Sequence, residues 1–203
     1  MRIITILCFS YHDSLLYLGA SYVDLYLVYT GILRMKPDLI RVFTDITETD
    51  EETGRLRRLI ASGVISGETI NLIDTIKEKG EYVYYKDFSQ VLQWLSQVLW
   101  EPTVRPREHL FYFSGHGVNE HLIFPFGEGL GMSTLIQILE MNSRKIDQTM
   151  MLLDCCFCHT GKHFPYVYSE GEKRWNPIID YGEIKESTHS ILCWYSTRYS
   201  SGS

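Results

Sequence analysis

The chain has 203 residues, 45% hydrophobic and 22% charged, enough for one domain with a sizeable core. Its net charge of −6 and pI near 5.6 argue against a general nucleic-acid or anionic-membrane surface, because either needs a basic field. The cysteines (Cys8, Cys155, Cys156, Cys158 and Cys193) are odd in number, with three crowded into four positions; that is a poor disulfide framework and points to a reducing, cytoplasmic setting.

Ile3–Phe9 reads as the first core strand rather than a signal peptide: the apolar run is short and β-branched, and no small-residue cleavage site follows Ser10-Tyr11-His12-Asp13. Leu15 to Met35 is apolar and long enough to suggest a membrane span. Asp24 near its middle would cost about 2.5–3.5 kcal/mol on insertion scales, so Tyr22–Met35 is expected to be a buried helix after a loop. Leu39–Thr44 is the next strand, ending at Asp45, and the acidic stretch Thr47 to Thr53 is expected as a solvated loop. Gly54–Ile65 and Glu68–Glu78 read as helices separated by Gly63 and Gly67, followed by a short strand at Tyr82–Tyr85.

Phe88–Trp100 carries the clearest helical period: Phe88, Val91, Leu92, Leu95, Val98 and Leu99 fall on one stripe, and Glu101-Pro102 ends it. Leu110–Phe113 reads as a buried strand and His121–Pro125 as a short one. A helix follows at Ser133–Met141, with Thr134 and Gln137 spaced as a capping box. Met150–Leu153 and Ile191–Tyr195 are the last strands. Residues 162–188 show no clean period and carry Pro165, Gly171, Pro177 and Gly182, so a long mobile loop is expected there. Strands alternating with helices imply an α/β domain spanning 1–203, with a mostly parallel sheet covered by helices on both faces.

Two strand ends carry chemistry. Ser114-Gly115-His116-Gly117 follows the apolar run Leu110–Phe113, and Asp154-Cys155-Cys156-Phe157-Cys158-His159 follows Met150–Leu153. The carboxyl edge of an open α/β sheet is where ligands bind, so His116 and a cysteine of the cluster form a candidate imidazole–thiolate pair. The glycines flanking His116 allow close backbone approach, and the amide of Gly117 is a natural oxyanion donor, with the nucleophile's own amide as the second.

The segments Phe-Tyr-Phe-Ser-Gly-His-Gly at 111–117 and Asp-Cys-Cys through His-Thr-Gly at 154–161 resemble the two signature boxes of metacaspases. Leu18-Gly19-Ala20 with Asp24, and Val42-Phe43-Thr44-Asp45, are similar to weaker segments of that family, and Tyr195-Ser196-Thr197 resembles one of caspases proper. The resemblance implies a caspase–haemoglobinase-like fold and a Cys/His dyad cleaving polypeptide substrates. It implies cleavage after Arg or Lys for metacaspases and after Asp for caspases. It makes Asp154, Ser114 and Asp24 the substrate-binding pocket, whose carboxylates suit a basic side chain.

Counting from Asp154 places the nucleophile at Cys156, the favoured position because it shares the strand's exit geometry; counting back from His-Thr-Gly places it at Cys158, and Cys155 is the third option. Val118 to Met132 holds only Glu120 and Glu128 as acidic residues, too few for hard calcium coordination, so no metal or other cofactor is expected and activity should be calcium-independent. The chain stops shortly after Tyr195-Ser196-Thr197, where the family continues; an incomplete groove and a catalytically inactive binding module or decoy is the alternative that follows. A structural zinc site drawn from Cys155, Cys156, Cys158, His159 and His163 is another. Lys162 and Lys173-Arg174 are candidate self-cleavage sites. No membrane or nucleic-acid partner is expected, and the sequence does not specify an oligomeric state.

Overall fold

The computed structural model describes residues 1–12, 16–47, 49–67, 71–100, 106–142, 148–155, 166–169, 174–177 and 191–195, the last three as backbone. β1 (Arg2–Cys8) is branched from Ile3 to Leu7, with Thr5 the one polar residue among them, and it is buried from Ile3 onward. It pairs in parallel with β2 (Leu39–Thr44) on one side and β4 (Glu108–Ser114) on the other. With β3 (Tyr82–Tyr84), β8 (Gln148–Asp154) and β11 (Ile191–Tyr195) they form a six-stranded sheet in the order β11-β8-β4-β1-β2-β3. Every pairing in it is parallel.

Both faces of such a sheet must be covered, because its strands alternate between two apolar sides. Ile4, Ile6, Cys8, Val42, Leu110 and Tyr112 face α1 (Ser21–Leu33), α2 (Asp50–Ala61) and α3 (Leu72–Glu78). Ile3, Leu7, Phe9, Phe43, Phe111, Phe113, Met151 and Leu153 face α4 (Phe88–Trp100) and α5 (Met132–Asn142). The stripe of α4 goes inward as its spacing predicts, and burying Val91, Leu95, Val98 and Leu99 contributes about 1.5–3 kcal/mol for each larger side chain. The chain winds outward from β1 through β2 to β3, then crosses back to start β4 beside β1. Strand order therefore reverses between β1 and β4.

The elements fall where the sequence predicts them, with four differences. The acidic stretch at 47–53 is not all loop: α2 starts at Asp50 because the Thr49 hydroxyl accepts from Glu52 N, and acidic residues suit a helix N-terminus. α5 starts at Met132, whose amide donates to Glu120 O at 2.9 Å, so Thr134 lies inside the first turn instead of capping it. Past β4 the chain forms a small antiparallel sheet of β5 (His116–Val118), β6 (His121–Ile123) and β7 (Gly129–Gly131), of which only β6 was expected. Within 162–188, read as loop, β9 (Tyr166–Ser169) and β10 (Arg174–Pro177) pair as an antiparallel hairpin, as β-favouring Tyr, Val and Trp allow. Among the described residues, no helix is long and apolar enough to cross a membrane. α1 ends after 13 residues, where Lys36 takes a φ of 50° ahead of Pro37.

Candidate active site

The parallel register aligns Thr44, Cys8, Ser114 and Asp154 in one row at the carboxyl ends of β2, β1, β4 and β8. The reversal of strand order falls between Cys8 and Ser114, which is where a crevice opens in folds of this kind. Phe9 N donates to Ser114 O at 3.1 Å and Gly115 N to Asp154 O at 3.2 Å, so β4 stays tied to both neighbours up to the residue before His116.

Cys8 is fully buried, and its Sγ donates to Ser21 O at 3.4 Å at the start of α1. Burial pushes its thiol pKa up, and the carboxylates of Asp24, Asp45 and Asp154 push it the same way, against a hydrogen bond with Ser114. The Tyr112 phenol is raised by burial and by Cys8, Asp154 and Asp24, again opposed by a Ser114 hydrogen bond. Ser114, Asp154 and Asp24 therefore converge around Cys8 and Tyr112 on the α1 face of the sheet. Asp24 arrives from the first turn of α1, and both carboxylates are half-buried. Cys8 and Tyr112 belong to this cluster, which no local motif signals. Tyr112 stands two residues before Ser114 on β4, which puts both on one face, whereas Cys8 is the register partner of Ser114 on β1, a relation that needs the strand order.

His116 is half-buried just beyond β4. Its ring nitrogen Nε2 lies 2.5 Å from Leu16 O. A carbonyl only accepts, so Nε2 carries the proton, and in the neutral ring Nδ1 is the lone-pair nitrogen available to a proton donor. The backbone amide of His116 donates to Tyr11 Oη at 2.7 Å, Tyr11 Oη donates to Ile123 O at 2.6 Å, and the two rings lie 4.6 Å apart. Neither Tyr11 nor Leu16 was anticipated, since nothing in the local sequence connects them to a histidine 100 residues away. Gly117 lies in β5 opposite Leu122, buried.

Cys155 is buried among Leu153 and Met151 on the α4–α5 face. Cys156, Cys158, His159, His163, Lys162 and Lys173 lie outside the described residues, while Arg174 begins β10. Among the described residues, no group of three or more His, Cys, Asp or Glu is placed to hold a metal ion. The chain's sequence matches no family model and no curated protein.

Proposed function

We propose that the protein is a cysteine endopeptidase of the metacaspase and caspase type, with His116 as base and Cys156 as nucleophile. The observation that carries this reading is the state of His116: its Nε2 is committed to the Leu16 carbonyl, which leaves Nδ1 as the basic nitrogen at the carboxyl edge of the sheet. Cys156 stands two residues past Asp154 just as His116 stands two past Ser114, and Ser114 and Asp154 are register partners. In the reaction, Nδ1 takes the Cys156 thiol proton and the sulfur attacks the scissile carbonyl. The proton passes to the leaving amine, and water then hydrolyses the acyl-enzyme. The amides of Gly117 and Cys156 are the oxyanion donors of this scheme.

Asp24, Ser114 and Asp154 select the side chain before the scissile bond, and two carboxylates acting on one buried cluster favour Arg or Lys over Asp. The six strands in parallel array, with the candidate site at the switch point, support a caspase–haemoglobinase-like architecture. The scarcity of acidic residues between Val118 and Met132 supports calcium independence.

Treatment with an Arg-directed peptidyl chloromethyl ketone, followed by mapping of the adduct, tests this reading. Labelling at Cys156 that is lost in His116→Ala and unchanged by a calcium chelator is the expected result. Labelling at Cys158 instead moves the nucleophile, and preferential labelling by an Asp-directed ketone overturns the acidic pocket. Absence of labelling at both cysteines leaves a non-cleaving binding module, or a zinc site if the purified protein carries stoichiometric zinc.

A further inference from the structure

We propose that Asp45 is a positioning residue that sets the tautomer of His116 through the chain segment following β1. The proposal rests on the preceding reading of His116 as the base and names what holds that base in order.

Asp45 follows the last residue of β2 and is 7% exposed. Its Oδ1 accepts from Ser10 N at 2.7 Å and from Ser10 Oγ at 3.3 Å, while Oδ2 accepts from Tyr11 N at 2.6 Å. Two successive amides thus converge on one carboxylate. That convergence accompanies a φ of 58° at Tyr11, a left-handed conformation that a tyrosine seldom adopts and that its surroundings must hold. In this conformation the Tyr11 side chain reaches His116, accepts its amide and packs against its ring. Leu18 N then donates to Ser10 O at 2.8 Å, bringing the segment back so that Leu16 O meets Nε2 of the same histidine. His116 is therefore held at its main chain and at its ring by residues of one segment, and Asp45 anchors that segment's base.

Among the described residues, His12 and Gly19 of the segment meet α2. His12 Nε2 lies 3.3 Å from Glu52 Oε1 without hydrogen-bond geometry, the His12 ring packs 5.3 Å from that of Tyr17, and Arg55 hydrogen-bonds Gly19 O. These contacts lie on the far side of the segment from His116. The Asp45 contacts fix the turn that aims Tyr11 at His116. An asparagine at 45 has one oxygen to accept with and presents an amide NH₂ to the second backbone N–H, so Asp45→Asn loosens that turn specifically.

The test uses the full chain with ¹⁵N-labelled histidine, the His116 ring nitrogens being identified by their loss in His116→Ala. The wild type should show the Nε2–H tautomer. Asp45→Asn and Tyr11→Phe should each shift His116 toward a tautomer mixture, while the buried His109 ring signals stay in place as proof of fold. If the labelling reading also holds, the rate of ketone labelling at Cys156 should fall roughly ten- to a hundredfold in Asp45→Asn. An unchanged His116 tautomer in folded Tyr11→Phe, or in folded Asp45→Asn, overturns the proposal. The ring readout requires no turnover, so absent labelling with a shifted tautomer defeats only the peptidase reading. Intact labelling with an unshifted tautomer defeats only the positioning role.

Discussion

Gly115 shows how closely the residue before the histidine is constrained. A β-carbon there would lie inside contact distance of Tyr11 Oη and 2.9 Å from Phe113 Cζ, both in the packed core. Gly115→Ala should therefore destabilise the fold by about 1–3 kcal/mol in denaturant titration, because neither neighbour can move without opening the core. It should also displace Tyr11 from His116, visible in the same ring-nitrogen spectra. The glycines of Gly-His-Gly permit close approach; that it is the Tyr11 side chain that approaches is a tertiary fact. Cys8 makes a second case at this scale. A thiol with no exposed surface and a raised pKa should resist iodoacetamide in the native protein and react only on unfolding, which mass mapping at native and denaturing urea concentrations would show.

At the scale of the element, α2 explains an expectation that failed. Thr47 to Thr53 reads as solvated loop because it is acidic and polar, yet Thr49 and Glu52 stand at the spacing of a capping box. Glu52 N donates to Thr49 Oγ1 at 3.3 Å, and the same hydroxyl lies 3.3 Å from Glu52 Oε2. Glu52 is itself buried, its carboxyl pKa raised by desolvation and only partly restored by His12 and Thr49. Thr49→Ala should cost about 1 kcal/mol in chemical denaturation by removing the cap. The elements read correctly from sequence, α4 above all, are those whose apolar period is long enough to outweigh composition. The three-residue strands β5 and β7 carry no such period: what makes them strands is each other and β6, not their own residues.

For the whole molecule, the buried row Trp94–Thr5–His109 links α4 to β1 and β4 beneath the site. Trp94 Nε1 donates to Thr5 Oγ1 at 3.0 Å, and that hydroxyl lies 2.9 Å from His109 Nε2. Burial, followed by the nearby Arg107 charge, lowers the His109 pKa to about 4. In the unfolded chain the same ring titrates near 6.5, so above that pH neither state is charged and His109 has no effect on pH dependence. As the pH falls from about 6.5 to about 4 the unfolded state gains a proton that the folded state refuses, and stability declines by up to about 3 kcal/mol. Below that window both states are protonated and the decline stops. His109→Gln should flatten this slope in unfolding titrations at successive pH values, by close to one proton.

The class of the fold, the positions of the long elements, and the two strand ends carrying His116 and the Asp154 box are written in the order of residues along the chain. Those properties depend on local periodicity and on which residues follow an apolar run, and both can be read along the chain. Folding in three dimensions is what reverses strand order between β1 and β4, brings Asp24 to act on Cys8 together with Ser114 and Asp154, and buries Cys155 in the core. It alone decided that the carbonyl holding His116 belongs to Leu16 and the carboxylate behind Tyr11 to Asp45. Hydrogen bonds between residues 34 to 105 positions apart depend on how strands are ordered and loops folded back, and no local pattern encodes that.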